Sequence, residues 1–153
     1  MIRYVLAAIL TVAIFALAAP AIERGASMNT EREVEAGVAD LEEAKTSLAE
    51  NEELSPEGHP DPQRVVPIEF PRGGLTTVEV DHFEVVPHEE GFTTVRYVLE
   101  DGTTRESTFD ELIVYDDPDE LEPLEMGGTG TKEIRLVLQA DEDGEPVVVA
   151  NPA

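Results

Sequence analysis

Apolar residues are distributed in three ways along this chain. From Tyr4 to Ile22 they form one block, with only Thr11 and Pro20 interrupting 19 positions. As a helix rising about 1.5 Å per residue, such a block spans about 28 Å, close to the roughly 30 Å hydrocarbon core of a bilayer. Between residues 27 and 54 the spacing is helical: Val34, Val38, Leu41 and Leu48 follow at intervals of four, three and seven, with Lys45 at the missing step. Thr30 and Glu33 precede this stripe as a capping-box pair, so a second, amphipathic helix is predicted to start there and to pack on a partner or on the downstream domain. Pro20 or Gly25 is expected to bend it away from the first helix.

After a Pro-rich linker over residues 55–63, the spacing changes to period two. Strands are predicted at Arg64–Phe70, Leu75–Val80, Phe83–Val86, Phe92–Leu99, Thr103–Phe109, Leu112–Tyr115, Glu133–Ala140 and Val147–Ala150. Pro67 places the first of them at a sheet edge, because proline has no N–H for a ladder. Asp101-Gly102 and Asp143-Gly144 signal hairpin turns. The apolar phase slips by one near His82, which predicts a bulge. Ile134, Leu136, Leu138 and Ala140 alternate with more polar positions, so that strand buries one face. The expected class is α+β: an N-terminal transmembrane helix continuing into an amphipathic helix, then an antiparallel β-meander forming one sheet. The expected divisions are 1–26 (anchor or signal peptide), 27–54 (amphipathic helix), 55–63 (linker) and 64–153 (β-rich domain).

Charge sharpens this picture. There are 34 Asp and Glu against 10 Lys and Arg, a formal net charge of −24 in 153 residues. Of all the acids only Glu23 lies before residue 27, and lysine occurs only at positions 45 and 132. Self-repulsion of this size opposes folding unless salt screens it, and at molar salt the Debye length is about 3 Å. The composition is that of a protein selected for concentrated brine. It excludes nucleic acid as a partner, which requires basic patches. Cysteine is absent, which removes disulfides, thiolate metal sites, cysteine nucleophiles and a lipidated cysteine.

Met1-Ile2-Arg3 is a short positive start, and Ala16 to Ala21 supplies small residues of the kind a signal peptidase accepts. The apolar block continues to Ile22, longer than an ordinary signal segment, so an uncleaved anchor is expected, with secretion after cleavage as the alternative. Arg3 on one side, against Arg24 offset by Glu23 on the other, places the C-terminal domain outside the cytoplasm.

Candidate chemistry is sparse. Gly127-Gly128-Thr129-Gly130-Thr131-Lys132 has neither the lysine spacing nor the following helix of a phosphate loop, and reads as a flexible loop. The serines at 27, 47, 55 and 107 sit in no nucleophile-elbow pattern. His82 and His88, with Glu84, Glu89 and Glu90, are the residues from which a divalent-cation site would be drawn, although their spacing fixes no geometry. Asp116-Asp117-Pro118-Asp119-Glu120 and Asp141-Glu142-Asp143-Gly144 are acidic loops without a complete calcium-ligand pattern. No catalytic, cofactor-binding or metal site is assigned, and no enzyme activity is expected.

The order of apolar helix, amphipathic extension and antiparallel sheet resembles type IV pilins and the pseudopilins of secretion systems. The acidic, lysine-poor composition resembles small haloarchaeal membrane-anchored proteins of that kind, associated with type IV pilus or type II-like secretion machinery. The block begins at Tyr4 with no leader before a small-residue cleavage point, and contains no glutamate, so the resemblance implies a minor or accessory component, not a major filament subunit. Its implied partners are the membrane and the proteins of such an assembly. The alternative is an exported, free-standing acidic domain binding a cation or a cell-envelope component.

Overall fold

A computed structural model describes residues 1–56 and 58–153. The two helical segments form one helix, α1, running unbroken from Ile2 to Asn51. Pro20 lies inside it and removes one backbone donor, a loss that does not end the helix. In the apolar half, the Thr11 hydroxyl donates to the carbonyl of Ala7 at 2.9 Å, so its polar group is satisfied within the helix. The linker follows; Glu57 within it lies outside the described residues.

Eight strands follow: β1 (Gln63–Phe70), β2 (Val80–Pro87), β3 (Thr93–Leu99), β4 (Thr104–Phe109), β5 (Ile113–Tyr115), β6 (Leu124–Met126), β7 (Gly130–Ala140) and β8 (Pro146–Pro152). The α+β class holds, with the strands divided between two sheets where one was expected. Their orders are β1-β7-β8-β5 and β4-β3-β2-β6. The pair β5–β8 is parallel, matching Ile113 with Val148 and Tyr115 with Ala150. A meander cannot place strands that way, because parallel neighbours need a long crossover. Here β6 and β7 provide it, since both lie between the two strands in sequence.

Several local expectations are met. β1 is an edge strand and carries Pro67 opposite Glu133. The β3–β4 and β7–β8 hairpins turn at Gly102 and Gly144, at φ of 86° and 81°, where a side chain would be strained. The bulge falls at Asp81, because Val80 pairs with Leu99 and His82 with Val98. Other details differ. Residues 75–79 are a loop, not a strand, and Val80 instead opens β2. β7 starts at Gly130, so the last part of the glycine-rich segment is ladder, with Lys132 opposite Ile68. Ala140 is exposed, unlike Ile134, Leu136 and Leu138.

One core unites the helix and both sheets. Val34, Leu41 and Leu48 are fully buried against it, and the Phe70 and Phe83 rings meet across the two sheets at 5.5 Å. The helix packs mainly on β1. Gly37 makes this possible: a Cβ there would lie 2.9 Å from Cγ2 of Ile68 and 3.2 Å from its Cβ.

Two effects oppose one another at this glycine. Alanine would gain about 1 kcal/mol of helix propensity, while overpacking a core costs about 1–3 kcal/mol. The Ile68 atoms in the way include its branch point, which cannot swing aside, so the clash is the larger effect. Gly37→Ala is therefore expected to lower stability by up to about 2 kcal/mol in urea melts, and Gly37→Ala with Ile68→Val should recover part of the loss.

Candidate functional site

The pairing pattern fixes which residues share an end of the β-domain. β1 runs opposite to α1: Arg64 near its start bonds Glu52 just past the helix, at 2.7 Å, while its later residue Ile68 meets Gly37. Hence the β1–β2 loop and the β3–β4 turn lie beside the helix where it leaves the apolar block, and the β7–β8 turn lies at the far end.

At the near end, three helix positions fasten the domain. Ser27 donates to the carboxylate of Asp101 in the β3–β4 turn. The Thr30 hydroxyl both donates to the carbonyl of Val78 and accepts from its N–H, each at 2.9 Å. It therefore acts as a strand partner for loop backbone and is not a helix cap. Glu31 accepts from Arg105 of β4 at 2.8 and 3.0 Å. Asp101 is held below the ordinary aspartate value of 3.8, first by the Ser27 hydroxyl and then by the amide of Thr103, with partial burial opposing. Its contribution to this joint is thus present above that value and fades as the pH falls through the lowered one.

Along the same helix face, Lys45 is 3% exposed. Its ammonium pairs with Glu111 and lies 5.5 Å from the centroid of the Phe109 ring. The gap in the apolar stripe is thus a buried cation with its partner, which sequence spacing alone does not reveal. Tyr97 of β3, opposite Arg105 in the ladder, is buried, and its hydroxyl has no hydrogen-bond partner among the described residues. Burial, reinforced by the charges of Glu35 and Glu31 and opposed by Arg105, pushes the phenol up to about 12.

On the second sheet, β2 and β6 bring together His82, Glu84 and Glu125, with one ligand atom from each within 4.8 Å of the others. Of the five residues considered for a cation, this retains two. His88 instead stacks on Phe92 at 4.2 Å and bonds the Thr94 hydroxyl at 3.0 Å. Glu89 and Glu90 stay exposed in the β2–β3 turn. Glu125 could be added only once the short β6 was known to pair with β2. Glu84 is nearly buried and already neutralised by Arg96, with His82 at 3.2 Å. The arrangement offers three donors to a divalent ion, which would compete with the Arg96 and His82 contacts of Glu84. The two acidic loops meet at the far end, where Asp119 accepts from the amide of Glu142 at 2.7 Å.

Fold and sites define a class: a small acidic α+β domain on one continuous helix, whose free half contains an 18-residue stretch of mean hydropathy 2.6 and is long enough to span a membrane once. The chain belongs to the family described as Domain of unknown function (DUF7311), which matches residues 1–153. No curated protein and no solved structure matches it.

Two expected outcomes test the buried polar groups. Glu111→Gln should cost about 1–3 kcal/mol, a figure reduced because the Glu111 side chain is 42% exposed, since it leaves the Lys45 ammonium unpaired. Lys45→Met should cost less than about 1 kcal/mol, and adding Glu111→Gln to it should change little further. For Tyr97, the unfolded phenol ionises near 10 and the folded one near 12. The unfolded state therefore releases its proton first, and stability falls as pH rises between these values by on the order of 2–3 kcal/mol. Urea melts at pH 8 and pH 11.5 should show that alkaline loss in the parent protein and a smaller one in Tyr97→Phe, with little difference between them at pH 8.

Proposed function

We propose that this protein is a non-enzymatic membrane protein with its β-domain outside the cytoplasm. It serves as an accessory or minor pilin-like component of a haloarchaeal secretion or surface-filament assembly. The observation that carries this reading is the single helix Ile2–Asn51: its first half is apolar and covered by nothing among the described residues, and its second half is built into the domain core. That layout couples an anchor rigidly to a folded head, which suits a part that must hold its position in a larger assembly. The acidic, lysine-poor composition supports a salt-rich exterior. A second reading, a free-standing acidic binding domain, draws on the grouping of His82, Glu84 and Glu125.

The absence of cysteine makes topology directly measurable. Glu43→Cys, at an exposed helix position, is expected to react with a membrane-impermeant maleimide in intact cells. Labelling only after lysis would overturn the outward orientation. In mild detergent the accessory reading predicts a complex with a polytopic membrane protein and filament subunits. A monomer whose melting temperature rises with added divalent cation would favour the binding-domain reading instead.

A further inference from the structure

The loop between β1 and β2 carries the most exposed large apolar side chain of the β-domain, Leu75, at 85%. This loop is built, not slack. The Thr77 hydroxyl donates to the carbonyl of Arg72 at 2.6 Å, the Gly74 amide donates to the carbonyl of Thr77 at 2.9 Å, and the Gly73 amide bonds Glu79 at 3.3 Å. Asn29 of the helix donates to the carbonyl of Thr76 at 3.3 Å, and Thr30 holds Val78 at two points. The turn thus presents Leu75 at its tip, from a fixed place on the helix.

That place is the end of the apolar block. Leu75 lines one open, mainly apolar cavity of about 760 Å³ together with Ala19, Ile22 and Met28, so it sits at the level where the helix leaves hydrocarbon. Ile22 and Met28 are themselves more than half exposed, which makes the apolar surface continuous from anchor to loop. Charge agrees with position within the loop itself, while the rest of the cavity mouth carries Glu23, Glu31 and Asp101, the last two engaged by Arg105 and Ser27. No acid occurs between Glu69 and Glu79, and the window carries Arg72, in a chain with 34 acids. Carboxylates there would be repelled by the negative surface potential of anionic lipid.

We propose that the Arg72–Thr77 turn is a membrane contact, with Leu75 entering the headgroup–acyl boundary beside the anchor and Arg72 facing lipid phosphates. The occupant of the cavity mouth is then the bilayer surface itself, and the β-domain rests on the leaflet in one orientation. This rests on the membrane-anchored reading of α1. The burial of one leucine adds modest affinity, comparable to other interfacial side chains, so its effect is to orient a domain that the helix already tethers.

The chain has no tryptophan, so a single indole reports alone. The full chain, as Leu75→Trp, is reconstituted in phosphatidylcholine–phosphatidylglycerol vesicles containing lipids brominated near the headgroup. Val65→Trp serves as the reference: Val65 is 51% exposed and lies beside helix residues 40–47, about 30 Å beyond Ile22 by helical rise. Bromolipid quenching at position 75 is expected to exceed that at position 65 by about twofold or more. Equal quenching at the two positions would overturn the proposal. So would an indole at 75 shielded from both bromolipid and aqueous iodide, which would identify protein as the cover. A chain that fails to float with vesicles would overturn the anchored reading and this contact with it, whereas flotation without quenching would overturn the contact alone.

Discussion

The close approach of α1 to β1 at Gly37 is the constraint on which the rest depends. One helix has to meet two demands: in the proposed anchored state its first half lies in hydrocarbon, and its second half closes a protein core. An apolar block meets the first demand in every direction. The second needs a narrow stripe and a surface flat enough for a β-sheet to lie against it. With Ile68 directly above Gly37, any larger residue would lift the helix and open a gap along Val34, Val38 and Leu41. Because the helix closes the same core that both sheets share, the β-domain and the upper helix form one packed unit. This unit takes its direction from α1.

The sequence was most legible where a single physical rule decided the outcome. Period-two alternation located seven of the strands, proline marked the edge strand, and glycine in positive φ marked the hairpins. It was least legible where tertiary partners decided. Thr30 carries the local signature of a cap, yet no chain break precedes it, and the hydroxyl finds its partners 48 residues away at Val78. Lys45 looks like a flaw in the stripe because Glu111 and Phe109 are remote in sequence. β6 is a three-residue strand in a segment that no alternation marked, and with it Glu125 was lost from the cation cluster. The division into two sheets, with β5 beside β8, is a matter of long-range pairing that no local pattern encodes.

The acids are arranged with a polarity along the domain as well as in excess. Near the anchor, Glu31 and Asp101 are engaged by Arg105 and Ser27. At the opposite end the acidic residues of two loops are gathered on one another through Asp119 and Glu142, leaving most of their carboxylates in solvent. Such an end repels other copies of itself and concentrates hydrated cations, effects that salt tempers. In the proposed membrane contact, the near end approaches lipid while the far end keeps its distance from like-charged surfaces.

Rigidity follows from the same contacts. A hinge between anchor and head would need a stretch free of tertiary partners long enough to absorb a change in φ and ψ. The apolar block ends at Ile22, and the first helix side chain bonded to the β-domain is Ser27, followed by Asn29, Thr30 and Glu31. Only about one helical turn is left between them, and it is continuous helix through Gly25. Loosening the joint would mean breaking the Thr30–Val78 pair, which leaves a partly buried hydroxyl and backbone amide without partners at a cost of about 1–3 kcal/mol each. The apolar half and the head are therefore joined without a hinge, and in the proposed anchored state the acidic end meets its surroundings at an angle set by α1.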